Sequence, residues 1–207
     1  MADILAVARS PIPPVGPVGY LAGWEVSLAR ADAPVTLADW TPLAKVLIRA
    51  APGGATAGAL GVPFGAARRD DRGTLVVGSG PGEWLLLGPP GTAGGLVARW
   101  RSAAGDGFTS VIDVTSGRAA IRLTGDPVPA LLAKVCALDL AAAPDGSAFR
   151  SSVAKVVTEI VRHDRGGAAS YLLLCDRSFG RYLAEALLDA GREFGIETDS
   201  CPISPAL

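Results

Sequence analysis

Apolar residues along this chain follow two spacings, one typical of strands and one typical of helices. Short runs dominated by leucine or β-branched residues, such as residues 83–88, are bounded by Gly, Pro or Asp and predict strands. In residues 178–190 apolar residues recur every three or four positions, which predicts an amphipathic helix. From residue 45 onward the two kinds of segment alternate, and this favours an α+β fold.

The predicted elements occur in the same order twice. The first series is strand 45–50, helix 55–60, strands 74–78 and 83–88, helix 94–103 and strand 110–115. The second is strand 119–124, helix 127–138, strands 152–161 and 170–175, helix 178–190 and a short strand near Ile196. Each series has the order β-α-β-β-α-β, in which helices cover one face of an antiparallel or mixed sheet.

Individual residues support a duplication. Residues 83–89 contain an aromatic residue, three leucines and a turn, and residues 170–176 repeat this pattern before a second predicted helix. Internal similarity of this kind indicates repeated structural units. We therefore predict two related half-domains, at residues 41–117 and 118–200, followed by a C-terminal tail at residues 201–207.

Residues 1–40 have a different pattern. Pro11, Pro13, Pro14 and Pro17 cluster there, and the apolar stretches between them are short. Proline removes a backbone donor and restricts the chain, so clustered prolines disfavour regular structure. The pattern predicts an irregular segment that lies over a surface and contributes little to a core.

Composition limits the classes of partner. Hydrophobic residues make up 49% of the 207 residues and charged residues 19%, as in ordinary globular proteins. The net charge is -1 and both signs are scattered, so neither nucleic acid nor an anionic membrane surface is an expected partner. No apolar run approaches the roughly 20 residues needed to cross a bilayer. We expect a soluble protein.

The cysteines and the N-terminal residues favour a cytoplasmic location. Cys136, Cys175 and Cys201 are widely spaced and form no C-x-x-C pattern, which is typical of reduced thiols. Cys136 and Cys175 lie in apolar segments and are predicted to be core residues. Asp3 occupies the region where an export signal is basic.

Candidate reactive residues are few. His163 is the single histidine and follows a predicted strand at a turn. A zinc site needs three or four ligands and a catalytic triad needs a paired base, and no local partner for His163 is present. A solvated turn histidine or a contact residue is the alternative interpretation.

Glycine and tryptophan positions also lack the spacing of a cofactor site. Residues 78–82 are rich in glycine, but a strand follows them instead of the helix that binds a dinucleotide phosphate, so a β-turn is predicted. Trp24, Trp40, Trp84 and Trp100 are scattered, which favours core packing or partner contact over a stacking site.

Asp113 and Arg118 flank residues 115–117, the turn between the two series. A buried pair there could orient a ligand. Alternatively, Asp113 belongs to the turn itself and Arg118 braces the junction by pairing with a carboxylate. Because no complete catalytic, cofactor or metal site emerges from the residues, we expect a chain that works through association.

Four segments in a fixed order resemble the gamma subunit of heterotetrameric sarcosine oxidase. They are residues 83–89, 111–125, 131–140 and 176–183, within a resemblance that covers roughly residues 40–195. The ordered set is more specific than any single segment. Ser116 stands where the family often has histidine, and Val135 where it often has glycine.

The resemblance implies a fold like the folate-binding part of the glycine cleavage T-protein. It further implies an accessory subunit, not catalytic by itself, of an oxidoreductase that converts sarcosine to glycine, forms hydrogen peroxide and passes a one-carbon unit to tetrahydrofolate. In that family FAD and FMN belong to the alpha and beta partners, NAD to alpha and zinc to delta, and gamma is not known to hold a cofactor.

Two other functions remain open from the sequence. One is a stand-alone folate-binding or aminomethyl-transfer protein, with Asp113 or Arg118 near a pterin pocket. The other is an interaction domain of an oxidase that acts on a related N-methyl amino acid. Likeness of fold alone would not transfer an activity to this chain.

Overall fold

A computed structural model describes residues 7–104 and 107–201. Its strands are β1 (Ala8–Arg9), β2 (Val18–Leu21), β3 (Trp24–Ser27), β4 (Val35–Asp39), β5 (Ala44–Ala50), β6 (Ala67–Arg69), β7 (Leu75–Gly80), β8 (Glu83–Gly88), β9 (Thr109–Asp113), β10 (Arg118–Thr124), β11 (Ala148–Val153), β12 (Val156–Arg162), β13 (Ser170–Asp176) and β14 (Ile196–Asp199). Its α-helices are α1 (Ala55–Leu60), α2 (Ala93–Ser102), α3 (Val128–Ala133) and α4 (Gly180–Gly191).

The strands form two large sheets and one small sheet. The first large sheet has the order β6-β7-β8-β5-β9, the second β11-β12-β13-β10-β4-β14, and the small sheet β1-β3-β2. Neighbouring strands are antiparallel, except that β14 runs parallel to β4 and β1 parallel to β3. The α+β fold with antiparallel and mixed sheets is thereby confirmed.

The two large sheets pack face to face, with helices on their outer faces. Leu85 and Leu172 belong to one cluster between the sheets, whereas Trp84 packs toward α2 and Tyr171 toward α4. Side chains alternate between the two faces of a strand, so a strand covered on both faces needs an unbroken apolar run. This explains the paired leucine runs in β8 and β13.

The duplication extends to individual hydrogen bonds. The series β5-α1-β6-β7-β8-α2-β9 has the same order as β10-α3-β11-β12-β13-α4-β14. Trp84 in β8 donates its indole N–H to the carbonyl of Val62, 2.7 Å away, in the loop after α1. The hydroxyl of Tyr171 in β13 donates to the carbonyl of Leu140, 2.9 Å away, in the loop after α3. The repeated aromatic position therefore has one structural role in both halves.

Each half contains one strand more than the sequence pattern predicts. In the first half the added strand is β6. In the second, the predicted single strand at residues 152–161 is a hairpin of β11 and β12. Its turn residues Ala154 and Lys155 both have positive φ, 46° and 68°. Such turns favour Asn-Gly, which is absent here, so the sequence carries no clear sign of the reversal. The helix predicted at residues 127–138 is also shorter, as α3.

The prediction that residues 1–40 are irregular and remain outside the core is wrong. Strand β4 enters the second sheet between β10 and β14, and Val35 and Leu37 are 0% exposed. At its entry the Pro34 carbonyl passes close to Gly125, where a Cβ would lie 2.1 Å from that oxygen. Of the predicted tail, Cys201 is buried and residues 202–207 lie outside the described residues. The half-domain boundaries stay predictions.

Candidate functional site

Arg118 takes part in a buried polar network that joins the two halves. Glu159 on β12 is 3% exposed and accepts a hydrogen bond from the hydroxyl of Ser79 on β7. Its other carboxylate oxygen lies 3.4 Å from a guanidinium nitrogen of Arg118 on β10. Burial raises the pKa of Glu159, while Ser79 and Arg118 oppose that shift. The predicted pairing of Arg118 with a carboxylate is confirmed.

A second ionic bridge crosses the halves nearby. Glu83 on β8 accepts from Arg49 of its own half at 2.8 Å and from Arg150 on β11 at 2.6 Å. Burial acts to raise the pKa of Glu83, but the two arginines hold it below its ordinary value. The Arg150–Glu83 pair places opposite charges across the junction, whereas the Ser79–Glu159 contact crosses it as a hydrogen bond from a neutral hydroxyl to a carboxylate.

A cavity of about 220 Å³ lies beside these bridges, lined by Arg118, Arg150, Val157, Glu159, Leu174, Cys175 and Asp176. Its two arginines are already paired with Glu159 and Glu83. Burial raises the pKa of the Cys175 thiol to about 11, so the thiolate needed for nucleophilic chemistry is not formed near neutral pH. The cavity therefore has the properties of a braced junction more than those of a reaction centre.

Asp113 does not join Arg118 in a ligand pair. Its carboxylate accepts the backbone N–H of Thr115, 2.8 Å away, in the turn between the halves. This is the local hydrogen bonding that Asp makes in turns. The turn interpretation of Asp113 is therefore the one that the structure supports.

His163 lies half-buried at the end of β12, between arginines from both halves. Its Nε2 is 3.3 Å from a guanidinium nitrogen of Arg69 on β6, and its Nδ1 is 3.3 Å from one of Arg122 on β10. Burial and these cations lower the pKa of the imidazole to about 4, so His163 is neutral near pH 7. It is thus a contact residue and not a solvated turn histidine. Within residues 7–104 and 107–201, no three His, Cys, Asp or Glu side chains cluster as a metal site would require.

Arg122 is a buried arginine that no sequence pattern distinguishes from a surface residue. It is 4% exposed and lies over the ring of Trp40, 4.2 Å from the ring centroid. It donates to the hydroxyl of Ser170 at 2.6 Å and to the carbonyl of His163 at 3.1 Å. Burial lowers its pKa to about 9. An isolated arginine in a strand ordinarily indicates a solvent-facing position, so the sequence offered no sign of this role.

Lys45 is the third buried charged group at the junction, and it too was missed. It is 0% exposed, and its ammonium donates to the carbonyls of Thr41 (2.6 Å), Leu43 (2.9 Å) and Thr115 (3.1 Å). Burial lowers its pKa to about 7, with Asp39 opposing the shift. Because all three donors reach backbone oxygens, Lys45 ties the connection between the halves to the segment before β5. A lysine within an apolar run was the one available sign.

Two cysteines and the tryptophans lie in apolar clusters, and the glycine-rich stretch contains a turn, as the sequence predicts. Cys136 and Cys175 lie in the core of the second half, and the four tryptophans are buried in three different apolar clusters. Residues 81–82 connect β7 to β8, and Gly82 has a φ of 70°, which fits a turn and no phosphate-binding helix. Among the described residues no helix is long and apolar enough to cross a membrane.

The duplicated fold is that of the folate-binding aminomethyltransferases. Aminomethyltransferase T of the glycine cleavage system from Bartonella henselae superposes with a TM-score of 0.70, covering 89% of this chain and 55% of that one. The identity is 19%, which shows the fold alone. The stand-alone folate-binding alternative gains no support from it.

The chain belongs to the sarcosine oxidase gamma subunit family, whose pattern matches residues 54–193. It is 31% identical to the sarcosine oxidase gamma subunit of Corynebacterium sp. strain P-1 over 74% of this chain and 78% of that one, and 30% identical to the Arthrobacter sp. gamma subunit over the same shares. The heterotetrameric sarcosine oxidase of Corynebacterium sp. U-96 matches with a TM-score of 0.69 and 28% identity, over 80% of this chain and 88% of that chain.

Proposed function

We propose that this chain is the gamma subunit of a cytoplasmic heterotetrameric oxidoreductase that demethylates sarcosine to glycine, and that its own task is to dock onto the larger subunits. The observation that carries the proposal is the family match over residues 54–193, together with the structural likeness to a heterotetrameric sarcosine oxidase. The products would be hydrogen peroxide and a one-carbon unit carried by tetrahydrofolate.

Oxidation of an N-methyl amine removes two electrons, formally as a hydride. Amino-acid side chains do not accept a hydride efficiently, so the reaction needs a redox cofactor. We assign FAD and FMN to the alpha and beta partners, NAD to alpha and zinc to delta. The charged groups at the junction of this chain pair with one another, as Arg118 does with Glu159 and Arg150 with Glu83. These contacts support a rigid body for docking.

The experiment is co-expression of this chain with the alpha, beta and delta subunits of the same organism. We expect one complex that contains the four chains, absorbs as a flavoprotein and forms peroxide from sarcosine. Omission of this chain should lower the yield of that complex, because a subunit that binds the folded assembly stabilises it. The chain expressed alone should be colourless and inactive.

Titration of the isolated chain with tetrahydrofolate is the control for the alternative function. Tight binding that is unaffected by the partners would favour a stand-alone folate protein. Flavin absorbance on the purified lone chain, or oxidation of sarcosine by it, would contradict a docking role directly.

A further inference from the structure

Strand β9 lies at one edge of the first sheet, next to β5. Among residues 7–104 and 107–201 no other strand pairs with it. In the extension of that ladder the N–H of Val114 bonds the carbonyl of Lys45 at 2.9 Å. Residues of an antiparallel strand point their backbone groups alternately toward and away from the neighbour. The groups that point away from β5 therefore belong to Thr109, Val111 and Asp113.

The other outer strands of the two large sheets carry charges that discourage further pairing. Arg68 and Arg69 lie in β6, Arg150 in β11, and Glu197 and Asp199 in β14. Charged residues on an edge strand are a common protection against addition of another chain.

Apolar side chains accompany the open backbone of β9. Ile112 is 47% exposed, and Phe108, just before the strand, is 69% exposed. Alternate residues of a strand share a face, so Ile112 projects on the same face as Ser110, and Phe108 directly precedes the strand. The one charged residue of the strand, Asp113, uses its carboxylate in the turn to Thr115. Backbone groups without a strand partner and exposed apolar side chains are the two features that a pairing strand recognises.

The second sheet shows what kind of element can lie beside β9 in the first sheet. Beyond β10 the second sheet has two strands, β4 and β14, whereas beyond the equivalent β5 the first sheet has β9 alone. Strand β4 comes from outside the duplicated series. The first sheet is therefore one strand narrower than the second on the side of β9. The position beside β9 corresponds to the one that β14 occupies beside β4 in the second sheet.

We infer that β9 pairs with an extended segment of a larger subunit, a step that rests on the proposed docking function. The segment would exchange backbone hydrogen bonds with Thr109, Val111 and Asp113 and place apolar side chains beside Phe108 and Ile112. Arg101 now donates to the carbonyl of Val111 at 3.2 Å and would release this acceptor.

Amide hydrogen exchange at single-residue resolution tests the inference, because the two sides of one strand serve as each other's control. In the isolated chain the amides of Ser110 and Ile112 are bonded to β5 and should exchange slowly, while those of Val111 and Asp113 should exchange fast. In the complex with the larger subunits, the amides of Val111 and Asp113 should slow by about 100-fold or more.

A charge substitution provides the second measurement. Ile112→Lys should weaken binding to the larger subunits by about tenfold or more, because an ammonium group would be buried against the added segment. Val18→Lys on β2 is the matched control, since Val18 is 47% exposed, as Ile112 is, and lies in the small sheet. The melting temperature of each isolated variant should stay near that of the wild type.

The outcomes separate this inference from the proposed function. If the complex forms but the Val111 and Asp113 amides stay fast, or if the two lysine variants weaken binding equally, pairing at β9 is overturned and docking survives. If the chain joins no complex, the proposed function itself fails. Protection in the isolated chain that rises with its concentration would identify a second copy as the occupant and also overturn the inference.

Discussion

The two halves of this molecule use one arrangement of elements with different edges. Both anchor the first aromatic residue of their central leucine strand to a loop carbonyl, through Trp84 in the first half and Tyr171 in the second. The second half also takes β4 from the N-terminal segment, and its outermost strand β14 carries Glu197 and Asp199. Among the described residues the first half takes no such strand, and its sheet ends at β9.

This difference shows that two copies of a duplicated unit can end their sheets with different strands. Backbone groups at a sheet edge require a partner, which is water, another part of the chain or another protein. In the second half the chain itself adds a strand. In the first half no further described strand follows β9, and Ile112 in β9 is 47% exposed.

The largest effect is expected from a substitution that weakens β4, the strand that the second half gains. Leu37 is 0% exposed in the core shared with α3 and α4. Leu37→Ala should lower the free energy of unfolding by about 3 kcal/mol, because it removes buried apolar surface and leaves a cavity. Urea unfolding measures the change.

Thr36→Ala is the control for this substitution, since Thr36 lies in the same strand and is only partly buried. Its effect should be much smaller, near the range of surface substitutions. Equal losses for the two variants would contradict the core position of β4.

Removal of one hydroxyl tests whether Tyr171 anchors its strand as Trp84 does. Tyr171→Phe should cost about 1–2 kcal/mol, because the buried carbonyl of Leu140 loses its donor. Tyr182→Phe, at a residue that is 50% exposed, is the matched control and should stay within about 0.5 kcal/mol of the wild type. Thermal or urea unfolding of the pair gives the comparison, and an unchanged Tyr171→Phe protein would refute the anchor.

The last test concerns the contact between the halves at His163. Its imidazole should titrate near pH 4 in the folded protein, well below the ordinary value of 6.5. Since the folded pKa is the lower one, the stability associated with neutral His163 is present above pH 6.5 and is lost as the pH falls toward 4. As the chain has one histidine, its NMR signals need no further assignment.

Arg69→Gln should raise the His163 pKa, because it removes one of the cations beside the ring. A wild-type imidazole that titrates near 6.5 would show that the two halves do not bury His163 together.

Much of the fold could be predicted where burial imposes a local pattern. The runs in β8 and β13 are covered on both faces, so nearly every residue in them must be apolar, and their strands and duplication are visible in the chain. The brace at Arg118 could be anticipated because it flanks the turn between the halves. The hairpin at Ala154 and Lys155 could not, because its turn contains neither Gly nor Asn.

The α+β class, the duplicated order of elements and the family could be derived from the chain before folding, since they depend on the spacing of apolar residues and on ordered motifs within short stretches. Three features required the folded structure: β4 lies inside the second sheet, Lys45, Arg122 and Glu159 are buried, and β9 is an edge strand among the described residues. A strand's neighbours and a charge's burial are set by residues far away in the chain. For Glu159 the deciding partner is Ser79, which lies in the other half.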